Sequence, residues 1–409
     1  MSLSRPDRAA PGAGEAPPLF RSFWMGGFES ACHVNRAGRR VDLVAETEHE
    51  RACDEDYGLA RSVGMRVVRD GVRWHVVERA GRYDFSSLTP MVAAAVRHRV
   101  QVVWNLMHYG WPDGLDPFGA AFVGRFARFA GAVARVLREQ SDEIPFYVPV
   151  NEISFLAWAA GEVGDMAPRA LRRGGELKRN LVRAALAAMD AVRDVDPRAR
   201  FVHTDPVIAV LASSAHPELA AEAAAFTDSQ FEAWDMLAGR RDPELGGSPD
   251  ALDIVGANFY HGNLWELGGA RPTWEARLGN ERWPTPAALL RRVSERYERP
   301  LVLAETSHFG SGRAAWLTHM AEEVERAIRA GVSIEGICIY PLIDRPDWDD
   351  GARWHESGLW DLRRGEDGRL HRVPCETYLR ALREAQRRLP IGASGSPRAH
   401  RDALPHDVA

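Results

Sequence analysis

Two glutamates, Glu152 and Glu305, each stand at the end of a short apolar run of the chain. The run at residues 145–150 stops at Asn151 and Glu152, and the run at residues 300–304 stops at Glu305. Apolar runs of this length, bounded by polar residues, are typical of buried parallel strands. Two carboxylates presented at strand tips can serve as an acid/base and a nucleophile, provided that one fold brings them together.

Apolar runs alternate with longer segments of helical periodicity, which is the pattern of βα units. Strands are predicted at residues 21–28, 65–69, 100–106, 145–150, 200–203, 251–257, 300–304 and 333–340. Amphipathic helices are predicted at residues 48–63, 117–139, 177–195, 316–330 and 376–387. These units predict an α/β fold, a single (β/α)8 TIM barrel over residues 21–390 with elaborated βα loops, whose chemistry is confined to the C-terminal rim of the strands.

The bulk composition limits the possible partners. The formal net charge is only −5 over 409 residues, which gives no electrostatic footprint for nucleic acid or an anionic membrane. The scattered cysteines and the lack of a signal peptide or a long apolar run predict a cytoplasmic protein outside the membrane. Residues 1–20 and 391–409, which are rich in small residues and proline, are expected to be disordered.

The predicted rim carries the polar and aromatic groups that a sugar ring needs, namely hydrogen-bonding groups and aromatic faces. A metal-dependent hydrolase barrel would require two histidines on the first strand, where His33 stands alone. A Schiff-base aldolase would require a lysine at a strand tip, whereas Lys178 lies away from every predicted strand. No metal or cofactor is therefore expected.

Six motifs resemble, in the same order, those of glycoside hydrolase family 1, the β-glucosidase group of clan A. Residues 150–153 resemble the acid/base motif T-x-N-E-P, and residues 303–306 resemble the nucleophile motif I/V-T-E-N-G. Residues 68–74, 106–112, 253–260 and 340–348 are similar to Y-R-F-S-I-S-W, L-x-H-W-D-L-P, D-F-L-G-I-N-Y-Y and W-S-L-L-D-N-F-E-W. The resemblance extends from Gly26 to about Leu362.

The resemblance implies a retaining β-glycosidase that cleaves a β-O-glycosidic bond by double displacement, with Glu305 as nucleophile and Glu152 as acid and then base. Asn151 would hold a sugar hydroxyl, and Arg69 and Tyr260 would tune the nucleophile. The expected partner is a small-molecule glycoside. The residues expected to bind it are His33, His108, Asn258, Tyr340, Asp347 and Trp348.

Departures from the family pattern fall on the sugar-recognition side. His33 replaces a Gln, Tyr340 a Trp and Asp347 a Glu, while Glu29 has no family role. Several tryptophans could line an aglycone pocket or serve only packing. Two alternatives stay open besides hydrolysis, a transglycosylase that uses the same covalent intermediate and a sugar-binding barrel that has lost turnover. The sequence predicts neither the sugar and aglycone nor the oligomeric state.

Overall fold

Eight parallel strands form a closed barrel in the computed structural model, which describes residues 18–389. The strands, β1 to β8, span Trp24–Gly27, Val67–Gly71, Gln101–Asn105, Phe146–Val148, Arg200–Pro206, Ile254–Asn258, Leu301–Thr306 and Ile334–Ile339. β1 pairs with β2 on one side and with β8 on the other, where Trp24 lies opposite Ile337. Each predicted strand overlaps one of these, and the predicted (β/α)8 TIM barrel is confirmed.

Helices α1 to α9 alternate with the strands of the barrel or follow them. They span His49–Ser62, Thr89–His98, Ala120–Gln140, Gly174–Arg193, Ala220–Asp228, Glu232–Leu237, Pro286–Tyr297, Arg313–Arg329 and Glu376–Arg388. The helices predicted from periodicity are all found, with their ends shifted by a few residues. α7 lies outside the predicted segments, although it begins with the recognisable start signal of a Thr285 N-cap followed by Pro286. None of these helices, within residues 18–389, is long and apolar enough to cross a membrane.

The βα loops carry short elements of their own. Helical turns occupy Leu43–Glu46, Trp74–Val77, Ile153–Leu156 and Trp274–Arg277, and a π-helical segment occupies Ala157–Glu162. A parallel two-stranded ribbon joins Ala209–Ala212 to Leu264–Leu267. Antiparallel hairpins pair Glu78–Arg79 with Arg82–Tyr83 and Trp360–Arg364 with Leu370–Pro374. These elaborated loops stand above the C-terminal rim, as the sequence analysis expected, and form walls around it.

The inside of the barrel is filled with apolar side chains and closed at its N-terminal end. The filling residues are Phe20, Met25, Val67, Val103, Phe146, Val148, Val202, Ile254, Val302, Ala304, Cys338 and Tyr340. Phe20, which the sequence analysis placed in the N-terminal tail, is buried, and its ring centroid lies 5.2 Å from that of Phe146. The rest of the two predicted tails, residues 1–17 and 391–409, lies outside the described residues. The interior of the barrel is therefore filled at its N-terminal end.

Candidate active site

The C-terminal ends of the strands surround one large cavity, with a volume of about 710 Å³. Glu152 follows β4, and Glu305 lies near the end of β7. Both side chains line the cavity, although Glu152 is only 8% and Glu305 only 4% exposed. The fold therefore brings the two glutamates singled out from the sequence into one cavity.

The carboxylate of Glu305 accepts a hydrogen bond on each oxygen. Arg69 Nη1 donates to Oε1 at 2.9 Å, and Tyr260 Oη donates to Oε2 at 2.8 Å. The contact with Arg69 is also a buried ion pair. Donors fixed on both oxygens suit a carboxylate that has to be ionised in order to attack an electrophile.

Arg69, in β2, connects Glu305 with two asparagines. Its Nη2 donates to Asn105 Oδ1 at 3.1 Å and to Asn151 Oδ1 at 2.9 Å, and its Nη1 also donates to the Ala304 carbonyl at 2.7 Å. Burial is the largest single effect and opposes the charge, but the Glu305 carboxylate and the other neighbouring groups together raise the pKa of Arg69. The guanidinium is therefore a fixed positive charge beneath the cavity.

Glu152 occupies a different environment from Glu305. The donors to its carboxyl oxygens are neutral groups, the Tyr109 hydroxyl and Asn258 Nδ2, the latter at 2.8 Å. Burial and then the negative charge of Glu305 raise the pKa of Glu152 to about 8, because both disfavour a second buried anion. A carboxyl that is protonated at neutral pH can act as a general acid.

The backbone around Glu152 is fixed by the neighbouring strands. The Asn151 N–H donates to the Met107 carbonyl at 2.9 Å, and the Glu152 N–H donates to the Thr204 carbonyl at 3.1 Å. Glu152 has φ of 48°, in the left-handed region that non-glycine residues seldom adopt. The helical turn Ile153–Leu156 begins directly after it. Such strain is concentrated at functional positions, where the surrounding structure holds the residue in place.

Asn151 and His108 belong to a hydrogen-bonded network under the two carboxyls. Asn151 Nδ2 lies 3.0 Å from His108 Nε2 and 3.1 Å from the Tyr109 hydroxyl, and Ser30 Oγ lies 2.9 Å from His108 Nδ1. Burial lowers the pKa of His108 well below its ordinary value, so the ring is neutral. His108 lines the cavity, whereas Asn151 lies just beneath the lining with its amide already engaged.

Tyr340 and Trp348 also line the cavity, whereas three other residues expected to bind sugar do not. His33 is buried against Trp348, with ring centroids 4.9 Å apart. Asn258 faces Glu152 rather than the open space. The carboxylate of Asp347 accepts from His355 Nε2 at 2.9 Å and from Arg353, so it is engaged by its own loop.

Tyr109, Arg345 and Glu29 are cavity residues to which the sequence analysis gave no role. Tyr109 stands next to His108 in the motif of the third strand, and Arg345 lies within the motif of the eighth strand. Glu29 follows β1, and its Oε2 lies 3.4 Å from Arg345 Nε. The positions of Tyr109 and Arg345 within motifs were the available signal, whereas Glu29 lies in none of the six motifs, and only the structure shows where the three side chains point.

The outer part of the cavity is lined mainly by apolar side chains. Trp158, Phe226 and Phe309 are 41%, 38% and 49% exposed there. Most polar side chains in this part are engaged within the protein, as when Gln230 Nε2 donates to the Ile208 carbonyl at 3.1 Å. The exception is Arg271, whose guanidinium lies over the Trp265 ring, 5.4 Å from its centroid. This outer chamber, defined by Phe155, Trp158, Ile208, Phe226, Trp265 and Phe309, therefore offers apolar surface and few free hydrogen-bonding groups.

Other ionisable groups of the cavity are in contact with neighbouring side chains. Lys178 Nζ donates to Glu232 Oε2 at 2.7 Å and is engaged in that ion pair. The rings of His261 and His308 pack together with centroids 4.3 Å apart. Between residues 18 and 389, no three His, Cys, Asp or Glu side chains converge in a way that could hold a metal ion.

Solved β-glucosidases share this fold. A β-glucosidase from Thermotoga maritima in complex with glucoimidazole aligns with a TM-score of 0.73 over 90% of this chain and 99% of its own, at 14% identity. The AHE enzyme from Alicyclobacillus herbarius aligns with a TM-score of 0.71 over 91% and 99% of the two chains, at 16% identity. A family 1 β-glucosidase from Thermotoga maritima aligns with a TM-score of 0.68 over 91% of this chain and 99% of its own, at 14% identity. No family model and no curated protein sequence matches the chain. At this identity the likeness shows that the chain has the fold of these enzymes over nearly its whole length.

Proposed function

We propose that this protein is a retaining β-glycosidase with Glu305 as nucleophile and Glu152 as acid and then base. The observation that carries the proposal is the contrast between two carboxyls in one cavity. Arg69 and Tyr260 donate to Glu305, whereas burial and the nearby Glu305 charge raise the pKa of Glu152 to about 8. Glycoside hydrolysis requires such a division, with one carboxylate ionised and one carboxyl protonated.

Each carboxyl has a defined task in the two steps. In the first step Glu152 gives its proton to the glycosidic oxygen, the bond from that oxygen to the anomeric carbon breaks, and Glu305 bonds to the same carbon. In the second step ionised Glu152 takes a proton from water, which attacks the anomeric carbon and releases Glu305 as a carboxylate. Arg69 and Tyr260 stabilise the negative charge that returns to Glu305, because both already donate to it.

The lining of the cavity supports a division into two subsites. The sugar would occupy the inner part, against His108, Tyr340 and Trp348. Asn151 supports this part from below through His108 and Tyr109. The leaving group would occupy the outer chamber. Because that chamber has exposed aromatic faces and engaged polar groups, it favours a large apolar aglycone over a second sugar.

Trapping the covalent intermediate tests the proposal. A 2-deoxy-2-fluoro glycoside with a good leaving group should inactivate the protein and label Glu305. In the Glu152→Ala variant, hydrolysis of an activated aryl glycoside should be rescued by azide, with a glycosyl azide as product. Proton NMR of the first sugar released by the native protein should show the β anomer. Label on another residue, an α product, or full turnover by Glu305→Gln would contradict the assignment.

A further inference from the structure

Glu29 is a buried carboxylate whose hydrogen-bonding capacity is largely unused. It is 8% exposed and lines the inner part of the cavity. Its one short hydrogen bond is accepted by Oε1 from the Ala31 N–H at 3.1 Å. The Tyr340 hydroxyl and His108 Nε2 lie 3.5 Å and 3.6 Å from the same oxygen. Since a carboxylate can accept about four hydrogen bonds, this residue keeps acceptor capacity for a ligand in the cavity.

Arg345 lies beside Glu29 and also has unused hydrogen-bonding capacity. Its Nε lies 3.4 Å from Glu29 Oε2, and its Nη1 donates to the Pro346 carbonyl at 3.1 Å. That is the one hydrogen bond of its side chain among the described residues, although a guanidinium has five N–H groups. The guanidinium also lies over the Trp348 ring, 5.4 Å from the centroid.

Asp347 provides the contrast that makes Glu29 unusual. Asp347 accepts from His355, Arg353 and the backbone N–H groups of Asp349 and Asp350, so its two oxygens are well supplied with donors. It lies outside the lining of the cavity. Of these two carboxylates, which follow the neighbouring strands β1 and β8, Glu29 is therefore the one that offers acceptor capacity to the inner part of the cavity.

We propose that Glu29 and Arg345 determine the sugar specificity of the cavity by binding two adjacent hydroxyls of a neutral sugar. This inference rests on the proposed glycosidase function. A hydroxyl both donates and accepts, so one pair of hydroxyls can donate to Glu29 and accept from Arg345. A carboxylate or ammonium group on the glycone could pair with only one of these two residues and would leave the other charge without its partner. The paired charges therefore favour a neutral glycone.

Substrates that lack single hydroxyls test directly whether Glu29 binds sugar hydroxyls. The best substrate is first chosen from a panel of 4-nitrophenyl β-D-glycopyranosides, and each of its hydroxyls is then replaced by hydrogen in turn. Glu29→Gln should lower kcat/KM for the parent glycoside by at least about 10-fold, the worth of a hydrogen bond to a charged group. For the analogue that lacks a contacted hydroxyl, the native protein and the variant should have nearly equal kcat/KM.

Glu323→Gln is the matched control. Glu323 is another buried carboxylate, 3% exposed, that accepts from the Ala287 N–H and from Arg326 outside the cavity. Glu323→Gln should leave the ratio of kcat/KM between the parent and the deoxy substrates unchanged. If Glu29→Gln lowered kcat/KM equally for the parent glycoside and every deoxy analogue, the proposal would be overturned and Glu29 would have a structural role. A preference of the native protein for an acidic or amino glycone would also overturn the proposal.

Binding measurements separate this inference from the proposed function. Calorimetry with the corresponding free sugars compares Glu152→Gln with the double variant Glu152→Gln/Glu29→Gln, and it requires no turnover. If the native protein cleaves no glycoside, the proposed function fails, but an affinity loss of at least about 10-fold in the double variant would still support the role of Glu29. Unchanged affinity would overturn the role of Glu29 even if hydrolysis is found.

Discussion

Tyr109 donates its hydroxyl hydrogen to the carboxylate of Glu152. This hydrogen bond favours the ionised carboxylate and opposes burial, which raises the pKa of Glu152. Tyr109 is buried, and its hydroxyl also accepts from Asn151 Nδ2 at 3.1 Å, so the phenol is held in place beside the carboxyl. The residue that follows His108 in sequence is thus a direct partner of the proposed acid/base.

Replacing Tyr109 by Phe should shift the pH dependence of activity. Without the donor, the pKa of Glu152 should rise further above its ordinary value, so the alkaline limb of kcat/KM should move to higher pH. The second step should slow, because it needs ionised Glu152. Profiles of kcat/KM from about pH 5 to 10 would measure the shift. Tyr83→Phe, at a half-buried tyrosine outside the cavity, is the control, and an alkaline limb that moves to lower pH would contradict the assignment.

Replacing Arg69 by Lys should reduce both activity and stability. A single ammonium group cannot reproduce the hydrogen bonds that the two Nη atoms make to Glu305, Asn105 and Asn151. We expect the free energy of unfolding to fall by about 1–3 kcal/mol, because a buried acceptor is left without its donor. Thermal unfolding and kcat would measure this. Arg173→Lys, in an exposed ion pair with Glu176, should change neither, and equal behaviour of the two variants would refute the central position given to Arg69.

Trimming Trp158 to Ala should change the preference among leaving groups. Methyl and octyl β-glycosides have leaving groups of similar basicity, so their kcat/KM ratio reports contact with the outer chamber. The native protein should favour the octyl glycoside, and Trp158→Ala should reduce that preference by about 10-fold through lost apolar contact. Leu278→Ala, the control, removes an exposed apolar side chain outside the cavity. A ratio that Trp158→Ala leaves unaltered would show that the aglycone binds in another place.

His49 should make stability depend on pH. Burial opposes its charge, but the carboxylates of Asp70 and Asp56, at 2.9 Å and 2.7 Å from its nitrogens, outweigh burial and raise the pKa of His49 to about 9. The folded-state pKa lies above the unfolded value of about 6.5, so this stabilisation is complete below that pH and is lost as the pH rises through 9. His49→Gln should lower the melting temperature at pH 6, and the deficit should shrink by pH 10. A deficit independent of pH would mean that His49 is neutral.

The sequence predicts the barrel well because its strands are buried on both faces and form continuous apolar runs. The parallel ribbon of Ala209–Ala212 and Leu264–Leu267 was not predicted, since each strand is only four residues long and partly exposed. Segments so short carry no distinctive periodicity, and their pairing depends on how two separate loops meet. This ribbon builds part of the outer chamber, so the shape of that chamber could not be predicted.

In the site, as in the fold, residues within strands could be predicted better than residues in loops. Arg69 and Glu305 lie within strands, where the alternation of side chains fixes which way they point, and the structure brings them together. His33 and Asp347 lie in loops, where position along the chain does not determine the direction of the side chain. Their contacts with Trp348 and with Arg353 and His355 depend on residues that the motifs do not specify.

The plug formed by Phe20 and Phe146 has a consequence for the order of events during turnover. Because one end of the barrel is sealed, the group that lies deepest in the cavity must leave last, through the same opening by which the substrate entered. The aglycone would therefore be the first product to leave, and the sugar would remain attached until another molecule came down the same passage. An alcohol that occupies the vacated chamber would compete with water for that sugar. The ratio of transfer to hydrolysis should therefore rise with the concentration of apolar alcohols.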